Sequence, residues 1–393
     1  MNRRVQNYGL LLIIGGIAAI FFHSTTVLIH IPYAKTIETP DSCKSLGSDK
    51  QNACFLEEIV NIAQSSGLQR ATNRLKELTS RYPAFQNDCH GVMHVLGEES
   101  YGLYVENVSL NITSSITYCT YGFYHGFITE AVNQEGSFDI AREFCAYANE
   151  QLAKEGFSAD EECYHGFGHA AVDDHISTQF SNAVEATDNA VVLCDSVSET
   201  FLQYQACASG VYNGVANTFV DRTFPWPEID EENIFALCEE QETALQLACY
   251  SYFARVLFDR NDGSFKDSML SALSIPDEVN RIGVIKNIAV TSMFYKTDKK
   301  DFSNQVSTCR LGEDAYRLQC MQGLSEGIIQ SAPPTQEYEY ARVLCASEML
   351  TELERAECYK SALENMQKLV STLKYAEACD RTPEKYQNEN CAS

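Results

Sequence analysis

The first element visible in the chain is an apolar run from Gly9 to Phe22, broken by His23-Ser24-Thr25-Thr26 and resumed from Val27 to Ile31. Read as one helix, it reaches the roughly 20 residues needed to cross a bilayer. Beyond Ile31 the apolar positions recur at helical rather than alternating spacing. Ile234-Phe-Ala-Leu-Cys238 and Tyr340-Ala-Arg-Val-Leu-Cys345 end amphipathic stretches, and Cys249 to Phe258 opens another. Phe265 to Leu273 and Asp277 to Phe294 also read as helices, with Pro276 marking the break between them. Asn-Gly turns and alternating runs are scarce, so strands are not expected.

Arg3 and Arg4 precede the apolar run, and such a pair holds an N-terminus in the cytoplasm. The bulk of the chain then lies outside it. We read the segment as an uncleaved signal anchor. A cleaved signal peptide, giving a secreted protein, is the alternative. Its best cleavage residue is Ala34, which Pro32 at the −3 position disfavours.

Cysteine spacing adds a framework. Fourteen of the 16 cysteines fall into neighbours along the chain: Cys43/Cys54, Cys145/Cys163, Cys194/Cys207, Cys238/Cys249, Cys309/Cys320, Cys345/Cys358 and Cys379/Cys391. Cys89 and Cys119 remain and would pair with each other. An even count behind a hydrophobic N-terminus implies disulfides made in an oxidising compartment. No CxxC or CxxCH occurs, which excludes zinc-ribbon, thioredoxin and c-type haem readings. The first cysteine of a pair tends to close one helical stretch and the second to open the next, so each bridge is expected to staple the turn of a helical hairpin. Periods of about 34–47 residues suit helical-hairpin arrays.

The expected fold class is therefore all-α. Disulfide-stapled helical-hairpin repeats form a curved solenoid or superhelix behind one N-terminal hydrophobic helix. The expected organisation is a cytoplasmic N-terminus over 1–8, the anchor over 9–31, N-terminal helices over 32–88, histidine-rich helical repeats over 89–185 and cysteine-stapled helical repeats over 186–393. Asn107 and Asn111 begin glycosylation sequons.

Charge narrows the partners. Lysine and arginine number 29 against 54 acidic residues, a net of −25 over 393 residues. Such a surface repels nucleic-acid phosphates, so no nucleic-acid partner is expected. The membrane is contacted through the N-terminal helix.

The functional signal lies in the histidines. Beyond the anchor there are six, His90, His94, His125, His165, His169 and His175, all within 86 residues. Cys119-x2-Gly122-x2-His125 matches Cys163-x2-Gly166-x2-His169, and Cys89-His90-Gly91-Val-Met-His94 is the same with one residue fewer. Asn213 and Glu326 stand at the corresponding position after Cys207 and Cys320. The glycine is expected to allow close helix packing. His90/His94 and His165/His169 are i, i+4 pairs, which lie on one helix face and can chelate a metal. The Cys89–Cys119 bridge would set two helices side by side and parallel, with His94 and His125 at one height. Because neighbouring axes are 8–10 Å apart, three helices in a flat stack cannot serve one ion. Strong curvature would converge them; otherwise two sites share or divide His125.

The candidate metal ligands are thus His90, His94, His125, His165 and His169. The candidate ions are zinc, iron, copper and manganese. Glu98 and Asp173, four residues beyond each pair, are candidate bases if a metal-bound water attacks a substrate. Metal-assisted redox chemistry is the other enzymatic reading. A non-enzymatic scaffold that binds a protein or glycan is the alternative function. The chain has no HExxH, P-loop or GxGxxG Rossmann fingerprint.

Overall fold

A computed structural model of the chain describes residues 43 to 393 apart from 44–45, 83–84, 86–87, 107–109, 157, 173–179, 181, 222–232, 296–300, 333–335, 370–371, 389–390 and 392–393. The expected anchor over 9–31 lies outside the described residues, as do Asn107, Asp173 and His175. Among the described residues no helix is long and apolar enough to cross a membrane.

Cys43–Ser393 is one compact unit, and its described residues form seventeen α-helices, two 3-10 turns and no strand. Helices α1 (Ser48–Ser66) and α2 (Leu68–Arg81) make a hairpin against α3 (Cys89–Val105). The chain continues through α4 (Gly122–Glu135), α5 (Asp139–Ala153), α6 (Asp160–Ala171), α7 (Ala183–Val197) and α8 (Phe201–Asp221). Then come α9 (Ala236–Glu239), α10 (Thr243–Arg260), α11 (Phe265–Leu273), α12 (Glu278–Phe294) and α13 (Ser303–Cys309). The last four are α14 (Asp314–Ser331), α15 (Glu337–Cys345), α16 (Glu352–Leu369) and α17 (Thr372–Arg381). Helices α3, α4, α6, α8, α10, α12, α14 and α16 form a row in which each packs on the next. The helices between them flank this row.

Local chemistry explains the elements. In α2 the buried residues are Leu68, Ala71, Thr72, Leu75, Leu78 and Thr79, the three-and-four spacing of a helix with one covered face. Asn182 caps α7 by accepting from the Glu185 amide, and Asp277 caps α12 by accepting from the Asn280 amide just after Pro276. Gly136 ends α4 in a left-handed conformation, φ 65°. The row is glued to its flank by apolar contact. Phe127 of α4 and Phe144 of α5, both fully buried, stack with ring centroids 3.7 Å apart.

All eight disulfides join the cysteines expected from spacing, and none of the cysteines is free. Five of them staple a flanking helix to the next row helix: Cys145–Cys163, Cys194–Cys207, Cys238–Cys249, Cys309–Cys320 and Cys345–Cys358. The two outermost differ from the expected hairpin staple. Cys43–Cys54 ties α1 to the residues before it, and Cys379–Cys391 ties α17 to the C-terminal segment. The hairpin expected without cysteines is α11–α12. Eight bridges and no free thiol point to an oxidising, extracytoplasmic environment.

Candidate metal centre

Three consecutive helices of the row carry the five histidines: α3 holds His90 and His94, α4 holds His125, and α6 holds His165 and His169. Glycine sets how close α3 and α4 come. A Cβ on Gly126 would lie 1.9 Å from the carbonyl oxygen of His94, and one on Gly122 would lie 2.5 Å from that of His90. Nothing larger than hydrogen fits at Gly126, so the two backbones touch. The contacts ascend together, 90 to 122 and 94 to 126, so the helices run parallel as the Cys89–Cys119 bridge predicted. One expectation is corrected. Gly91, aligned with Gly122 by its place before a histidine, has no atom within 4 Å of where its Cβ would sit. The packing glycine of α3 is Gly97, whose Cβ would meet the Phe123 carbonyl at 2.1 Å. The missing residue between Cys89 and Gly91 rotates that glycine off the contact face.

This close approach brings the imidazoles together. His94 Nε2 is 3.1 Å from His90 Nε2 and 3.2 Å from His125 Nδ1. The His125 ring then stacks on His169, centroids 4.3 Å apart, with His165 at 5.2 Å. Two triads result, His90/His94/His125 and His125/His165/His169, and within each one ligand nitrogen per residue lies within 4.8 Å of the others. Either can hold a metal ion. A tetrahedral ion with metal–nitrogen bonds of ~2.0–2.1 Å spaces its donors about 3.3 Å apart. The 3.1 and 3.2 Å separations in the first triad match that edge length.

The surrounding groups select the tautomers. His90 Nδ1 lies 3.0 Å from the Cys119 carbonyl, which only accepts, so Nδ1–H donates and Nε2 keeps its lone pair. The Thr120 hydroxyl also gives its proton to that carbonyl and lies 2.9 Å from His90 Nδ1. His165 Nδ1 lies 2.9 Å from Ser209 Oγ, whose hydroxyl donates to Ala206 O, so Ser209 accepts from His165 and its Nε2 is again free as a donor atom. Fixing the outer nitrogen so that the inner one faces an ion is the arrangement that metal-binding histidines use. Asn213 of α8 reaches both His165 Nε2 and His169 Nε2, at 3.2 and 3.0 Å. Sequence comparison put Asn213 at the histidine position of the pattern but not among the ligands. That alignment is the signal that could have identified it.

His90 anchors on a strained segment. Cys119, Thr120 and Tyr121 are consecutive non-glycine residues in the left-handed region, φ 56°, 54° and 62°. Each costs roughly 1–2 kcal/mol, and the Cys89–Cys119 bridge and the bond from His90 hold them there.

Burial keeps the cluster neutral. Desolvation, reinforced by the charge of His90, holds His94 down to about 3 and His165 down to about 4. His90 is lowered by desolvation, with the charge of Arg255 a lesser cause. His125 and His169 are pushed well below the ordinary range, first by desolvation and then by the surrounding rings. Neutral imidazole is the ligand form.

The cluster forms part of the wall of a cavity of about 590 Å³. Glu161 and Glu162 of α6, Tyr252 of α10, Glu326 of α14 and Asn365 of α16 also line it, so both ends of the helix row reach one space. Glu98 is exposed on α3 and lines a second groove with Glu99, Glu106, Glu130 and Glu135. The structure thus gathers the five histidines and places Glu98 in a different hollow. No family model, curated protein or solved structure compared with this chain matches it.

Proposed function

We propose that this protein is a membrane-anchored, extracytoplasmic metalloprotein, and a metal-dependent enzyme, built from helical-hairpin repeats curved round a histidine-lined cavity. The observation that carries the reading is the pair of buried histidine triads sharing His125. The rows of neutral imidazoles with outer nitrogens tied to Cys119, Thr120 and Ser209 support it. A set of nitrogen donors suits zinc, copper or iron, while manganese prefers oxygen donors, so manganese leaves the list of candidate ions.

The chemistry such an ion supplies is activation of water or polarisation of a bound substrate beside the cavity. Glu161 and Glu162, one turn before His165 on the same helix and on the cavity wall, then take the base position that sequence spacing gave to Glu98, and Asp173 stays a candidate base. Anchoring rests on the 9–31 run and on Arg3 and Arg4. A protein or glycan ligand on the acidic outer face is compatible with this reading and has no separate observation in its favour.

The test is metal content. Full-length protein made in an oxidising compartment without a histidine tag should carry zinc, copper or iron, and His125→Ala should lose it. Metal content near zero, unchanged by His125→Ala, overturns the reading.

A further inference from the structure

We propose that His125 is a bridging ligand: its two ring nitrogens bind two ions at once, one held with His90 and His94, the other with His165, His169 and the side chain of Asn213. The inference rests on the metal reading above and deepens it, from a site to a two-ion centre with unequal halves.

Four observations lead to it. His125 is the one histidine common to both triads, so any ion in either triad uses it. Its Nδ1 faces the first triad, 3.2 Å from His94 Nε2. Its Nε2 is buried and has no hydrogen-bond partner among the described residues. Leaving a buried ring nitrogen unbonded is unfavourable, and a second ion satisfies it. Finally, the histidines at both ends, His90 and His165, have their outer nitrogens tied off and their Nε2 atoms turned inward. Each pair is therefore organised independently and needs only a third donor, and one imidazole serves both.

The halves differ. The first triad offers three nitrogens, and the outer partners of His90 are already used on its other nitrogen. An ion there keeps its fourth position for a solvent or substrate atom, as catalytic sites do. In the second, Asn213 spans His165 Nε2 and His169 Nε2. Amide oxygen and nitrogen exchange places on a simple flip, so Asn213 can turn its oxygen to the ion as a fourth protein donor and close that half.

The step balances. Neutral His125 carries one ring N–H proton. Binding at both nitrogens forms two metal–nitrogen bonds, breaks that N–H bond and sends the proton to solvent, and no electron is transferred. Bonds of ~2.0 Å on both sides of one ring hold the ions about 6 Å apart.

Copper(II) is the probe, added to the metal-stripped full chain and followed by bound stoichiometry and electron paramagnetic resonance. The expected result is two ions per chain with most of the spin signal lost, because a bridging imidazole couples the two unpaired electrons. His90→Gln should drop the stoichiometry to one ion and restore a full one-spin signal, and His165→Gln should do the same from the other side. His94→Gln is the second variant for the first half, since among the described residues the ring of His94 bonds only other cluster histidines. Asn213→Ala should weaken one ion and leave the other. One ion per chain in the unaltered protein, or two ions with a full uncoupled signal, overturns the bridge while leaving a metal site in place. Failure to bind copper, zinc or iron overturns the metal reading itself.

Discussion

His94 Nε2 and His125 Nδ1 stand 3.2 Å apart across 31 residues of chain, on two parallel helices whose backbones meet at a glycine. The centre depends on that contact as much as on the imidazoles.

Gly126 and Gly91 should therefore behave oppositely. Gly126→Ala places a methyl against the His94 backbone, which cannot give way cheaply, and should cost about 3 kcal/mol, the upper end of the usual overpacking range. Metal binding should fall with it. Gly91→Ala enters open space in the first turn of α3 and should leave stability unchanged or raise it by up to ~1 kcal/mol. Thermal unfolding of the two variants checks the pair. Equal destabilisation would mean that the α3–α4 contact is not set by Gly126.

Ser209 touches no ion in this scheme, yet it fixes the tautomer of His165. Ser209→Ala should weaken metal binding roughly 10- to 100-fold with the five histidines intact. Competition against a chelator of known affinity reads the change. An affinity identical to the unaltered protein would remove Ser209 from the centre.

Acid should act on the cluster in a defined window. The unfolded chain takes up histidine protons as pH falls through about 6.5, whereas folded His94 and His165 resist until about 3 and about 4. Between those limits the unfolded state binds more protons, so stability of the metal-free protein is fully present above pH 6.5 and declines as pH drops toward 4. Protons also compete with metal for the same nitrogens, so bound metal should leave over the upper part of that range. Denaturant midpoints and metal content at successive pH values test both. Stability that rises on acidification from pH 6.5 to 4 would contradict the buried, neutral cluster.

Disulfides should separate by position. Replacing Cys238 and Cys249 by serine opens a short loop and should cost roughly 3 kcal/mol without touching the centre. Replacing Cys89 and Cys119 opens a 30-residue loop, worth about 3.5 kcal/mol, and also frees the left-handed segment that carries the acceptors of His90. Only the second double variant should lose metal affinity. The comparison needs melting temperature and metal titration on the same samples.

Much of this protein is legible in its sequence. Helical periodicity gave the α11–α12 hairpin to within a residue, with Pro276 at the break, because amphipathic spacing and a proline stop are local properties. Cysteine pairs 11 to 18 residues apart identified the stapled turns, since a short loop between consecutive helices brings its ends close whatever the rest of the chain does. The i, i+4 histidine pairs were visible for the same reason.

Other features depend on contacts between elements. Gly91 and Gly122 look alike in sequence, but only Gly122 faces a neighbouring helix, because rotation about the helix axis is fixed by packing. Glu98 follows His94 by four residues and still lines a different hollow, since the cavity wall is shared among helices from α3 to α16. Sequence alone left open whether three helices converge on one ion or share a histidine between two sites. Tertiary structure adds the placement: backbone contact at Gly126 and stacking on His169 put one imidazole between two pairs, giving two candidate triads that share it, and neither distance is written in any local stretch of the chain.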